Sequence, residues 1–174
     1  MEKELEFKRK RTRVKYFNYT GCSAYFVTIC AFDKQPRFKD SALIKELINL
    51  LKQEAEKHDF KIYAYCFMPD HLHLLLIGDD KSSLVNFIKI FKQKSGYTYK
   101  QRFKENLWQR SFYDHVVRKK EDINEIAAYI FMNPMRKKMA DDFRAYPFLG
   151  SLVFDVNKFY DLFGQRKNID INYL

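Results

Sequence analysis

A chain of 174 residues with 47% hydrophobic and 17% aromatic content has the length of one domain and ample material for a core. Lys and Arg number 32 against 22 Asp and Glu, a formal charge of +10 that favours a polyanionic partner, because neutralising phosphates releases condensed counterions. The composition argues against three classes: no run approaches the ~20 apolar residues of a membrane span, no apolar stretch behind the charged N-terminus resembles a signal peptide, and Cys22, Cys30 and Cys66 lack the spacing of a disulfide framework or zinc site.

Residues 1–15 carry Lys3, Lys8, Arg9, Lys10, Arg11, Arg13 and Lys15 and read as a basic N-terminal arm. The cysteines sit in apolar or strand-like surroundings and are expected to be small, reduced core residues of a cytoplasmic protein. Residues 24–32, rich in β-branched and aromatic types, predict a strand. Ser41 can cap a helix over about 42–57, with Leu43, Leu47, Leu50 and Leu51 at helical spacing. A second strand is expected from Lys61 to Phe67. Pro69-Asp70 supplies turn chemistry, and a third strand follows from His71 to Ile77.

A second helix starts after Ser82 or Ser83, with Leu84, Phe87, Ile88 and Phe91 as its apolar stripe. Its continuation from Lys92 to Lys104 is basic and interleaved with Tyr97, Tyr99 and Phe103, and Gly96 weakens or bends it. Residues 107–118 read as a loop entering a fourth strand. Asp122 and Glu125 resemble a capping box before a third helix marked by Ile123, Ile126, Ala127 and Ile130. Pro134 is expected to end or kink it near Asn133. A short helix around 155–163 and an irregular tail complete the chain.

The first six elements, strand-helix-strand-strand-helix-strand, match the split βαβ plan: an α+β, ferredoxin-like (RRM-like) fold with a four-stranded antiparallel sheet. Both long helices would cover one face, and the third helix would approach the other. In a strand, residues i and i+2 share a side. His71 and His73 therefore project together, and imidazole suits borderline divalent metals. Alone, such a pair more often sits hydrogen-bonded inside a sheet. Here two of only four histidines follow a tight turn in a basic protein. Tyr129 and Asn133, four apart, stack on one side of the third helix at the edge of its apolar stripe.

Three segments together resemble a known family. They are Met68-Pro69-Asp70-His71-Leu72-His73-Leu74-Leu75, Leu107-Trp108-Gln109-Arg110-Ser111-Phe112, and Tyr129-Ile130-Phe131-Met132-Asn133-Pro134-Met135-Arg136. In this order they resemble the single-tyrosine HUH transposases, and most closely the REP-associated tyrosine transposase branch, over roughly residues 14–140. Asp70 stands where the family usually has Asn, and Met135-Arg136-Lys137-Lys138 replaces its common Val-Arg-Ala-Gly.

The resemblance implies that His71 and His73 bind a divalent metal, Mg²⁺ or Mn²⁺, that Tyr129 is the nucleophile, and that Asn133 can complete the metal site. It implies cleavage and rejoining of single-stranded or hairpin DNA through a 5′-phosphotyrosine, acting on inverted repeats flanking its gene, as a monomer or homodimer at a bacterial nucleoid. An ordinary phenol ionises only near pH ~10, so a nearby cation is what makes it a competent nucleophile. Lys89, Lys92, Lys94, Arg102, Trp108, Arg110 and Arg136 are the expected DNA contacts, with Trp108 as a stacking surface or a buried loop anchor. The expected organisation is an arm over 1–15, a catalytic domain over 16–140 and an extension over 141–174. Two other readings remain open: a non-catalytic ferredoxin-like nucleic-acid-binding module, and a metal-dependent nuclease that hydrolyses without a covalent step.

Overall fold

The computed structural model describes residues 17–118 and 121–163. The expected basic arm lies outside these residues. In chain order the elements are β1 (Ala24–Cys30), α1 (Ser41–Lys57), β2 (Phe60–Met68), β3 (His71–Gly78), α2 (Leu84–Phe103), β4 (Tyr113–Val116), α3 (Ile123–Arg136), β5 (Leu149–Gly150) and α4 (Val156–Phe163). The sheet order is β4-β1-β3-β2-β5, with every pairing antiparallel. The expected ferredoxin-like arrangement is present with one addition. The fifth strand, β5, joins the outer edge of β2 through Tyr65–Gly150 and Cys66–Leu149. Two residues are too few to show a strand period in the sequence.

Alternation along the strands separates two cores. Tyr25, Val27 and Ile29 of β1 and Leu72, Leu74 and Leu76 of β3 face α1 and α2, against Leu43, Leu47, Leu51, Phe87 and Phe91. Phe26 of β1 and Leu75 of β3 belong to a second core with Ile126, Ile130 and Phe131 of α3. β2 changes register between Ile62 and Ala64. This bulge puts Ile62 and Tyr65 in the first core but Tyr63 and Ala64 against the second.

Helix ends differ from expectation by the chemistry of their caps. Asp40, not Ser41, caps α1: its Oδ1 accepts the Ala42 amide at 2.9 Å. α2 runs unbroken through Gly96. Asp122 caps α3 as expected, accepting the Asn124 amide at 2.8 Å. α3 does not stop before Pro134 but continues to Arg136. Pro134 is buried in the last turn, where Lys137 donates to the Asn133 carbonyl at 3.0 Å and Met139 to that of Pro134 at 2.8 Å. Capping those carbonyls lets the turn close despite the missing Pro amide.

Residues 141–163 pack onto α3. Phe143, Tyr146 and Phe159 join the second core, and the Tyr146 hydroxyl donates to the Phe67 carbonyl at 2.7 Å. Of the cysteines, Cys66 is fully buried and Cys30 half-buried. Cys22 departs from the core expectation: it is exposed, with its thiol 3.0 Å from Asp80. Among the described residues no helix is long and apolar enough to cross a membrane.

Candidate active site

β3 is flanked on both sides, by β1 and β2, so its side chains sit over the middle of the sheet. His71 and His73 leave the face that α3 covers. Their Nε2 atoms are 3.0 Å apart. Each ring is held from behind. His71 donates its Nδ1 proton to Asp70 Oδ1 at 2.6 Å, which leaves Nε2 with a lone pair. Nδ1 of His73 is hydrogen-bonded to the Thr28 hydroxyl at 2.9 Å, across the β1–β3 pairing that sets Thr28 opposite His73.

As the pair stands, Nε2 of His73 donates to Nε2 of His71. Moving that proton to Nδ1, where the Thr28 hydroxyl can turn to accept it, leaves a lone pair on each of the two neighbouring Nε2 atoms. Two imidazole nitrogens bound at right angles to one cation, at 2.0–2.1 Å each, lie about 3 Å apart. The spacing therefore fits a shared metal ion. Burial, and then the neighbouring His71, pushes His73 down to about 3, so its ring is neutral rather than an imidazolium.

The Tyr129 ring stands over the same face. It is edge-on to His73 at 6.3 Å between centroids and to Phe26 at 6.0 Å. The Arg136 guanidinium lies 4.8 Å above the tyrosine ring, seven residues on and on the same side of α3. Phe26 also stacks on His73 at 5.4 Å, so one aromatic ring supports both the expected ligand and the expected nucleophile. Asn133 is buried, and its Nδ2 donates to the Tyr129 backbone carbonyl at 2.8 Å. Its carboxamide is thus turned back along its own helix, with Oδ1 the atom left to offer.

The basic candidates divide. Lys89 and Arg110 are exposed and line a cavity of about 690 Å³ between α2 and the segment 106–112, beside the 67% exposed Tyr97. Lys92 is a structural cation: its Nζ donates to the carbonyls of Gln109, Arg110 and Ser111 at 2.7–3.2 Å. Lys94 is bonded to the buried Glu54 at 2.8 Å, and Arg102 lies within 3.5 Å of Glu46 and 3.9 Å of Asp40. Trp108 is corrected as a stacking surface. It is 8% exposed, packs on Phe38 and Phe91, and donates Nε1 to Ser95 Oγ at 2.8 Å.

Sequence reasoning missed Thr28 and Phe26. Both follow from the β1–β3 register, which joins residues more than 40 positions apart and leaves no local signal. A separate cluster, Cys22, Asp79 and Asp80, lies at the far end of β3, and all three of its residues are exposed.

A family model described as Transposase IS200 like matches residues 18–133. A Haemophilus influenzae protein provisionally named a REP-associated tyrosine transposase is 27% identical over 147 residues, 75% of this chain and 81% of that protein. The REP-associated tyrosine transposase of Escherichia coli K12 is 30% identical over 92 residues, 51% of this chain and 53% of that one. A solved REP-associated tyrosine transposase bound to a REP hairpin shares the fold, with TM-score 0.66 and 18% identity over 80% of this chain and 82% of that one. The span matched by the family includes the histidine pair, Tyr129 and Asn133 and covers well over half of the sequence, so this chain belongs to the IS200-like transposase family.

Proposed function

We propose that this transposase-family chain cuts and rejoins single-stranded or hairpin DNA, with Tyr129 as its nucleophile and His71 and His73 holding a divalent cation, Mg²⁺ or Mn²⁺. The observation that carries this reading is the pair of Nε2 atoms 3.0 Å apart, on the sheet face over which the Tyr129 ring stands. A cation bound there would neutralise charge developing on the scissile phosphate and favour the phenolate.

The chain's own residues supply the rest. The Tyr129 hydroxyl gives its proton to solvent and its oxygen attacks phosphorus. The bond to the 3′ oxygen breaks, and that oxygen takes a proton from water. The products are a 5′-phosphotyrosine and a free 3′-hydroxyl. The covalent link conserves the phosphodiester, so another 3′-hydroxyl can reverse the step and join strands without ATP. Arg136 puts a positive charge over the ring whose hydroxyl oxygen would carry the phosphate. Asn133 would complete the metal set through Oδ1.

The hairpin-bound relative supports hairpin DNA as the partner. Lys89 and Arg110, beside exposed Tyr97, offer phosphate contacts and a stacking ring in one groove. Residues 16–140 would form the catalytic unit and 141–174 an extension that supports it. One nucleophilic tyrosine per chain gives one covalent end, so moving an element with two ends takes two copies or successive reactions.

Incubation of hairpin substrates with Mn²⁺ is expected to yield a protein–DNA adduct that survives denaturation. The His71→Ala/His73→Ala double variant should lose it while keeping the fold. Cleavage retained in that variant overturns the metal role, and free 5′-phosphate ends without an adduct point to a hydrolytic nuclease instead.

A further inference from the structure

Beside the histidine pair, on the same face of the sheet, lies a second cavity of about 630 Å³. Its volume falls in the range of small-ligand sites, about 300–1,000 Å³. It does not contain Tyr129 or the basic groove along α2. Its walls are Phe26, Thr28 and Cys30 of β1, Asp70 and His71 at one end, with the Asp70 carboxylate hydrogen-bonded to His71, and Tyr113, Asp114 and His115 of β4.

Two features point to what it holds. The first is Tyr113. β4 is the outer strand of the sheet and pairs only with β1, placing Tyr113 opposite Thr28, which is itself opposite His73. Tyr113 is therefore in the same cross-strand row as the candidate metal ligand, two strands away. Tyr113 is 56% exposed and on the cavity wall, so an aromatic side chain is accessible at the edge of the candidate metal centre.

The second is Lys34. It follows Asp33, and both take left-handed backbone conformations, with φ of 53° and 51°. Neither is glycine, so the turn holds a sterically disfavoured shape that puts Lys34 on the cavity lining. The turn is fixed by Phe32 N–H to the Leu107 carbonyl at 2.9 Å and Lys34 N–H to the Ala31 carbonyl at 3.0 Å. Lys34 is exposed and, among the described residues, has no ion pair.

We propose that this cavity seats one unpaired nucleotide next to the scissile phosphate, its base laid on Tyr113 and its phosphate on Lys34. The inference rests on the strand-transfer reading, because the cavity borders His71. An open aromatic ring, an apolar floor at Phe26 and a lone cation at the rim match a nucleotide's base and phosphate. A base still stacked in a duplex cannot reach the ring, so the site selects single strand at the point of cleavage.

The test uses the full chain carrying Tyr129→Phe and two probes: a short single-stranded oligothymidine, and an abasic sugar-phosphate oligomer of the same length. Fluorescence anisotropy should show the oligothymidine bound roughly ten-fold tighter than the abasic oligomer. Tyr113→Ala should erase most of that ratio, and Tyr113→Phe should keep it. Lys34→Gln should weaken both probes alike. In a Cys22→Ser background the oligothymidine should also protect Cys30, in the cavity wall, from iodoacetamide. A ratio unchanged in Tyr113→Ala, or Cys30 alkylated equally fast under saturating oligothymidine, overturns the subsite. Adduct formation by the chain with Tyr129 intact is scored separately. An adduct with an unchanged ratio removes the subsite alone, and a Tyr113-dependent ratio without an adduct removes the strand-transfer reading on which the inference rests.

Discussion

His73 combines two features that usually oppose each other: it is 7% exposed, yet its Nε2 faces a second imidazole. Burial keeps it uncharged, and the Thr28 hydroxyl, which can donate or accept, is hydrogen-bonded to Nδ1 and holds the ring in place whichever nitrogen carries the proton. Thr28→Val keeps the shape of β1 but removes that hydroxyl. Loss of such an outer partner lowers metal affinity about 10–100-fold. Calorimetric Mn²⁺ titration of Thr28→Val should show a loss of this size with an unchanged melting transition. Unchanged affinity would mean that the hydroxyl does not hold the ring for metal binding. The shared side of His71 and His73 was legible because a strand repeats every two residues. Their partners were not equally legible. Asp70 is adjacent in sequence, whereas Thr28 comes from a strand whose register is fixed only by long-range pairing. Lys94 and Arg102 show the same limit from the other side. Charge alone marked them as phosphate contacts, but Glu54, Asp40 and Glu46 on α1 and its cap already engage them.

At the scale of elements, α3 carries the expected nucleophile and α2 carries the groove, and each has one tie whose removal is informative. Asp122 caps α3, and Asp122→Ala should cost about 1 kcal/mol in chemical denaturation, with adduct formation reduced only as far as the helix start frays. Trp108 anchors the segment 106–112 to α2 through Ser95, Phe91 and Phe38. Trp108→Ala should cost about 3–5 kcal/mol of stability, as truncation of a buried aromatic does. The contrasting outcome, near-normal stability with a sharp loss of DNA affinity, would restore Trp108 as a stacking residue. The helical spacing of Ile123, Ile126 and Ile130 made α3 legible, and Asp122 made its start legible. Its end was misread because Pro134 forbids an amide bond but not a last turn whose carbonyls find donors further on. β5 left no trace, since two residues carry no period and join the sheet only because β2 has an open edge.

For the whole molecule, the sheet divides two cores with different tasks. The first, against α1 and α2, resembles any ferredoxin-like interior and needed only alternation and helical spacing to be foreseen. The second holds α3 over the histidines and is completed by Phe143, Tyr146 and Phe159 from beyond residue 140. Removing 141–174 should therefore uncover Ile130 and Phe131 and lower the melting temperature by on the order of 10 °C or more, a loss of several kcal/mol for a chain of this size. A truncated chain that melts like the full one would show that the extension is dispensable. Phe159 lies on the helix expected around 155–163, whereas Phe143 and Tyr146 were illegible as part of the core because they follow no helical or strand period. They are placed singly by contacts such as the Tyr146 hydroxyl on the Phe67 carbonyl. What the two cores achieve together is to bring Tyr129 over His71 and His73. The most direct test is to digest the adduct formed with hairpin DNA and Mn²⁺ and identify the modified peptide by mass spectrometry. The proposed chemistry predicts a phosphodeoxynucleotide on Tyr129 and no adduct from Tyr129→Phe. An adduct on another residue, or one undiminished in Tyr129→Phe, would contradict it.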